Sequence, residues 1–193
     1  MLDHTFVLET ARVRLEPLDA SHLEALIASC NDPALWEFTF QPNPFTNDVD
    51  ARRWLEAAHT PSSVPFAIID RATGLPIGST RYHEIVPEHR KLEIGWTFVA
   101  RSHWRTHVNT ECKYLLLRHA FDEWSAVRVQ LKGEARNARS REAMARIGAT
   151  YEGTMRNFRI RPDGERRDVS YYSITADEWP GVRTMLEARI GHV

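Results

Sequence analysis

The chain has 193 residues, 42% of them hydrophobic, with 10 Pro, 9 Gly and 25 Lys/Arg against 26 Asp/Glu, the composition of one globular domain of ordinary size over 1–193. No window approaches the roughly 18 apolar residues of a membrane span. The opening MLDHTFVLETARVRLEP lacks the apolar core of a signal peptide, so a cytoplasmic location is expected. Cys30 and Cys112 form no CxxC pair and read as free thiols. The balanced charge hides an asymmetry: residues 1–90 hold 7 Lys/Arg and 13 Asp/Glu, whereas 91–170 hold 16 and 10. A basic middle in an acidic chain points to one bound anion, or to a solvated basic face, and not to a surface coated for nucleic acid.

In chain order, VRLEPL (13–18) alternates as an edge strand, and Asp19 caps a helix with Leu23, Leu26 and Ile27 on its apolar side. The aromatic- and Pro-rich NDPALWEFTFQPNPF reads as a short helix and loop. Thr46 is placed to cap a helix to about His59 that buries Val49, Trp54 and Leu55. PFAIID (65–70), PIGSTRYHEI (76–85) and KLEIGWTFVA (91–100) alternate between turns, which predicts an antiparallel meander. Asn109 to about Trp124 reads as a helix, VRVQLKGE (127–134) as a strand, and Asn137 to about Ile147 as a helix closed by Gly148. ATYEGTMRNFRI and RRDVSYYSI are strands joined through RPDGE, and Thr175 with Glu178 forms a capping box for the last helix. The strand–helix–strand unit at 92–134 predicts a mixed α/β sheet with one right-handed crossover, and a ligand bound where neighbouring strands part.

The junction RSHWRTHVNTE between that strand and helix is rich in hydrogen-bond donors and has no glycine. The first N–H groups of a helix starting at Asn109, with the amides of Arg105 to Val108, form a nest for a phosphate or diphosphate. Arg105 adds charge, and Thr106 and Thr110 add hydroxyls. The alternative is an ordinary Asn cap on a solvent-facing loop. The P-loop, the Rossmann GxGxxG and the GxSxG elbow are absent. His103 and His107 have no third ligand in view, so no metal site is expected.

Three blocks, LEIGWTFVARSHWRTHVNTECKYLLLRHAF, RVQLKGEARNARSREAMARIGATYEGTMR and RPDGERRDVSYYSITADEWPGV, resemble the GNAT N-acetyltransferase superfamily. Within it the likeness is to the RimJ/RimL-type branch of ribosomal-protein N-terminal acetyltransferases, over about residues 8–185. The resemblance implies a mixed, mostly antiparallel sheet of about seven strands with a splayed parallel pair, flanked by about five helices. It implies acetyl-CoA as cosubstrate. The diphosphate would be held by the loop Trp104, Arg105, Thr106, His107, Val108, Asn109 and Thr110. The pantetheine would pair with Thr97, Phe98 and Val99 as an added strand, with Asn137 and Ser140 against the same arm. Relatives often carry glycine where Arg105 and His107 stand, so an altered loop is expected, with φ below zero or a strained amide at these positions.

Acetyl transfer needs a neutral amine, a polarised carbonyl and a proton for the leaving thiolate. Glu93 is the expected base, acting through water, the alternative being an outward-facing strand carboxylate. Gly95 marks a bulge or a close approach, and the Phe98 amide is the expected oxyanion donor. The resemblance puts Met144 where many members have a proton-donating tyrosine, Ser140 where the ribosomal-protein serine enzymes have a serine, and Arg159 where those enzymes have a glutamate. Ser140 is equally readable as a plain first-turn helix residue. Trp36, Tyr82 and Trp96 are candidates for lining the acceptor cleft, although core packing is the commoner fate of such residues. Arg156, Arg159 and Arg161 would meet adenosine phosphate, an acidic peptide or only water. The expected reaction acetylates a protein or peptide N-terminal α-amine, the rivals being a small amine acceptor and a CoA-binding sensor without catalysis. A homodimer is expected as well.

Overall fold

The computed structural model describes residues 5–161 and 163–191. Its strands are β1 (Leu8–Glu9), β2 (Val13–Pro17), β3 (Val64–Asp70), β4 (Leu75–Val86), β5 (Lys91–Val99), β6 (Arg128–Glu134), β7 (Thr150–Ile160) and β8 (Arg166–Thr175). The α-helices are α1 (Leu23–Cys30), α2 (Pro33–Trp36), α3 (Asp48–Ala58), α4 (Val108–Arg118), α5 (Ala138–Arg146) and α6 (Trp179–Gly191). One sheet has the order β1-β2-β3-β4-β5-β6-β8-β7, antiparallel throughout except between β5 and β6. The counts of eight strands and six helices exceed the expected seven and five through the two-residue β1 and the single-turn α2. Pro162, in the predicted Pro-Asp-Gly turn, lies outside the described residues.

Strand alternation sends side chains to two separate cores. Phe66, Ile68, Tyr82, Leu92, Ile94, Val129 and Leu131 face α4 and α6. Ala67 and Ile69 face α1, α2 and α3, whose Leu26, Trp36 and Trp54 close the opposite side together with Phe45 of the 3₁₀ turn before α3. The cap of α3 is Asn47, whose side chain accepts from the Asp50 amide, and not Thr46, which ends a 3₁₀ turn. On that frame Ala51, Trp54 and Ala58 fall on the buried stripe, and Val49, expected inside, is 57% exposed.

The feature that positions a site is how β5 and β6 separate. Their parallel ladder holds only Lys91↔Arg128, Leu92↔Val129 and Glu93↔Gln130. Past Glu93, β5 keeps β4 on one side while β6 continues against β8. A bulge drives the departure: between the pairs Arg81↔Gly95 and Ser79↔Phe98, β5 has two residues, Trp96 and Thr97, against Thr80 alone. The edge of β5 from Ile94 onward therefore faces an opening, spanned by the crossover helix α4.

Candidate functional site

At the apex of the opening stands Glu93, 2% exposed and far from the outward-facing strand carboxylate of the alternative reading. Its Oε2 accepts from Gln130 Nε2 at 2.8 Å and lies 2.9 Å from Lys132 Nζ. Its Oε1 lies 2.8 Å from His83 Nε2. Lys132 is shared with Glu84 at 2.9 Å. Burial pushes the Glu93 carboxyl up, but the contacts and charges of His83 and then Lys132 outweigh it, and the net position is below the ordinary carboxylate value. Glu93 is therefore an anion at neutral pH. Gly95, expected as a bulge or close approach, is the latter: a Cβ there would stand 2.6 Å from His83 Nε2 and 3.0 Å from Glu93 Oε1. The bulge itself is at Trp96–Thr97, with Trp96 held at φ 53°.

β4 supplies the next wall on the same face. Arg81 is 5% exposed and carries its guanidinium 4.6 Å over the Trp96 ring, which is itself 42% exposed. Burial without a counter-charge pulls this guanidinium down to about 10. Trp96 is thus the sequence-predicted acceptor aromatic that the fold leaves at the opening. The other two are placed elsewhere. Tyr82 is fully buried on the α4 side and its hydroxyl donates to the Leu116 carbonyl. Trp36 is buried against Phe45 and Phe98, with Nε1 donating to the Cys30 carbonyl at 3.0 Å. The short helix α2 folds that Pro-rich stretch back onto α1 and α3, which is why so aromatic a loop could be buried at all.

The strand–helix junction is a 3₁₀ turn at Arg101–His103, then a tight turn into α4. The helix begins at Val108, one residue earlier than expected, with His107 at its cap and no side-chain cap hydrogen bond, so Asn109 sits inside the first turn. The amides of Val108, Asn109 and Thr110 thus precede the helical ladder and aim into the loop, Val108 bonding only the Thr106 hydroxyl at 3.4 Å. Both expected ways of replacing glycine occur. His107 takes φ −65°, while Arg105 adopts φ 61° and keeps the left-handed turn a glycine would favour, at about 1–3 kcal/mol. Trp104 anchors the loop, with Nε1 donating to the Val99 carbonyl at 2.8 Å and the Arg139 guanidinium 3.5 Å over its ring. Helix α4 is tied down by Glu111, fully buried, which accepts from Arg12 Nε at 2.6 Å and from the Thr10 hydroxyl.

The sequence reading missed Lys113. It is buried, its Nζ donates to the Thr97 hydroxyl at 2.6 Å, and burial lowers it to about 8 despite the raising influence of Cys112 and Glu93. Its surroundings in ECKYLLL gave no local sign of this: every residue from Glu111 to Leu117 is buried, polar and apolar alike, as happens when a crossover helix is covered on both sides. Across the opening, Asn137 caps α5 by accepting from the Ser140 amide at 3.0 Å, which uses its Oδ1. Ser140 therefore has the first-turn capping contact, through the Asn137 side chain. Its hydroxyl also stands against β6, 3.0 Å from where a Cβ on Gly133 would lie. Met144 is buried beside it. Arg159 and Arg161 bend toward the α2 loop, Arg159 5.2 Å over the Phe40 ring and Arg161 donating to the Glu37 carbonyl at 2.6 Å. Arg156 is exposed on β7.

A parted parallel strand pair, an uncapped helix start with a positive loop, and a buried carboxylate at the apex suit a thioester cosubstrate with a diphosphate. Residues 12–150 match the family model described as an acetyltransferase (GNAT) domain. Among curated proteins, the chain is 28% identical over 173 residues, 86% of it and 91% of the relative, to the Bacillus subtilis (strain 168) protein named "Putative ribosomal N-acetyltransferase YdaF". Among solved structures, a "putative acetyltransferase" from T. thermophilus is 39% identical, with TM-score 0.89 over 98% of this chain and 99% of that one. The RimL ribosomal L7/L12 α-N-protein acetyltransferase in complex with coenzyme A shares the fold at 19% identity, with TM-score 0.78 over 90% and 99% of the two chains. The chain belongs to the GNAT acetyltransferase family and is an N-acetyltransferase.

Proposed function

We propose that the chain transfers the acetyl group of acetyl-CoA to a primary amine, with a protein or peptide N-terminal α-amine as the acceptor. The observation that carries this reading is the ionised, buried Glu93 at the apex of the β5–β6 opening. A carboxylate held low is a weak base. It suits an α-amine, whose pKa near 8 leaves about a tenth neutral at pH 7, better than an ε-amine near 10.4.

The residues fit the cosubstrate. Trp104 to Thr110 offer main-chain amides and the Arg105 charge for the diphosphate, and Thr97 and Val99 turn their main-chain groups to the unpaired side of β5 for the pantetheine, while those of Phe98 between them face β4. Asn137 keeps its Nδ2 for the same arm because its cap contact uses only Oδ1. Acetyl-CoA supplies the activated acyl thioester. Glu93 takes the amine proton through water, with His83 and Lys132 fixing its carboxylate. The Phe98 amide, expected as the oxyanion donor, is turned to the β4 ladder together with its carbonyl, which lies against Gly78, so the oxyanion donor is a main-chain amide of the neighbouring bulge. Ser140 is the proton donor to the leaving group, the neighbouring Met144 having no proton to give. Trp96 lines the acceptor side. The homodimer belongs to this reading too: edge strand β7 exposes Met155, Phe158 and Ile160, and sedimentation at micromolar concentration checks it.

The deciding experiment follows thiol release from acetyl-CoA with a panel of peptides bearing free N-termini, lysine-only peptides with blocked N-termini, and small amines. Release with free N-termini supports the reading. Release with small amines alone moves the acceptor class. Tight CoA binding without release from any acceptor makes the chain a sensor. Ser140→Ala is expected to lower turnover about 10-fold or more, and full turnover removes it as the proton donor.

A further inference from the structure

Buried charge in this protein is mostly matched, Lys113 apart, whose Nζ meets the Thr97 hydroxyl. Glu93 meets His83 and Lys132, Glu111 meets Arg12, and Glu134 lies between Arg136 and Arg167, at 3.0 and 3.1 Å. Arg81 is the exception among the buried arginines. At 5% exposure its Nε is sealed from solvent without an acceptor, and among the described residues no carboxylate or carbonyl pairs with its guanidinium. Its neighbour on the same face, Ser79, also has a sealed hydroxyl without a partner. Trp96 covers one side of the guanidinium, from a left-handed conformation that costs energy to hold. An unpaired buried cation is expensive, and the wall beside it is shaped by a strained backbone at Trp96.

The position is as telling as the missing partner. Arg81 lies two residues before His83 on one face of β4, about 7 Å along the strand, and His83 touches Glu93. An amine poised at Glu93 would therefore carry groups a few bonds away into the reach of the guanidinium. A guanidinium presents two parallel N–H groups that match the two oxygens of a carboxylate.

We propose that Arg81 is a subsite for a carboxylate borne by the amine acceptor a few bonds from the reacting nitrogen. The proposal rests on the reading of Glu93 as the base that faces the acceptor. Two sources share this chemistry, the side chain of an acidic residue at or next to a peptide N-terminus and the α-carboxylate of a free amino acid.

Matched acceptors test it. Peptide amides opening with Asp are compared with those opening with Asn, and free alanine with alaninamide. Each pair is read both as kcat/KM by thiol release and as calorimetric binding to the CoA-loaded protein. In at least one pair the acid is expected to be favoured about 10-fold or more, and which pair names the source. In Arg81→Met and Arg81→Lys that ratio is expected to fall toward unity, chiefly through KM, with CoA affinity as in the wild type. Because Arg81→Met removes an unpaired buried charge, its melting temperature without acceptor is expected to match or exceed that of the wild type. The proposal is overturned by no acid preference in either pair, by equal losses for acid and amide, or by a loss confined to CoA affinity. A fall in melting temperature with the preference intact makes Arg81 structural and also overturns it. The binding arm needs no turnover, so an absence of thiol release from every acceptor refutes the acetyl-transfer reading while the carboxylate preference is still measured.

Discussion

The two walls of the opening treat charge in opposite ways. At the apex, Glu93 is enclosed by Gln130, Lys132 and His83, each within 2.9 Å. One strand away, Arg81 has an aromatic ring and, among the described residues, no anion. A satisfied ion in a dry site is preorganised for a task that needs a fixed charge. An unsatisfied one favours whatever arrives with the opposite charge. A third region, the foot of α4, shows the closed case put to structural use, with the Arg12–Glu111 pair fastening the segment before β2 to the helix that spans the opening.

Perturbing these charges should separate the three behaviours. The largest effect is expected at the apex. Glu93→Gln keeps the shape and the Gln130 contact region but removes the base, and kcat should drop about 100-fold or more. CoA affinity should hold, and an unchanged pH–rate profile would remove Glu93 from the role. Next, Glu111→Ala should destabilise the fold by about 3 kcal/mol by leaving Arg12 facing a gap; urea unfolding measures it, and a loss below about 0.5 kcal/mol would mean the pair contributes little.

Lys113 sharpens the comparison from the helix side. Its folded value of about 8 lies below the ordinary lysine value of 10.5, so between those two pH values the unfolded chain binds more protons than the folded one, and stability rises with pH across that window. Below about pH 8 the full cost of the buried ammonium is present. Lys113→Met should therefore raise stability at pH 7 by roughly 2–3 kcal/mol and flatten the rise above pH 8, read by denaturant midpoints at several pH values. A wild type with no such rise contradicts it. The smallest stability effect belongs to Arg105→Gly, which relieves a left-handed arginine but loses more backbone entropy on folding, and should stabilise the unliganded chain by a net of up to about 1 kcal/mol. The same change should weaken CoA more than dephosphorylated pantetheine, and equal weakening of both would exclude a phosphate contact.

Much of the fold is written locally. The turn-bounded alternation of β3, β4 and β5 and the crossover unit at 92–134 were legible because each depends on the chain's nearest neighbours and on strand and helix periods. Near misses share a cause. Thr46 and Asn47 are both competent caps, and a one-residue shift turned Val49 outward. Helix α4 begins at Val108 because His107 already takes helical dihedrals without any side-chain cap. The aromatics Trp36 and Tyr82 resembled cleft residues in composition, and only the packing of α2 and α4 against the sheet decided that both are buried.

The sequence by itself determined the order of elements, the donor-rich junction between β5 and α4, and the family likeness those blocks carry. These follow from spacing, caps and turn chemistry within a few residues. Tertiary structure alone decided that Glu93 would be enclosed by Gln130, Lys132 and His83, that Lys113 would be buried against Thr97, and that Arg81 would go unpaired among the described residues. Charge in a low-dielectric interior is governed by which distant segments meet, 37 positions apart for Glu93 and Gln130 and 99 for Arg12 and Glu111, and no local pattern encodes that meeting.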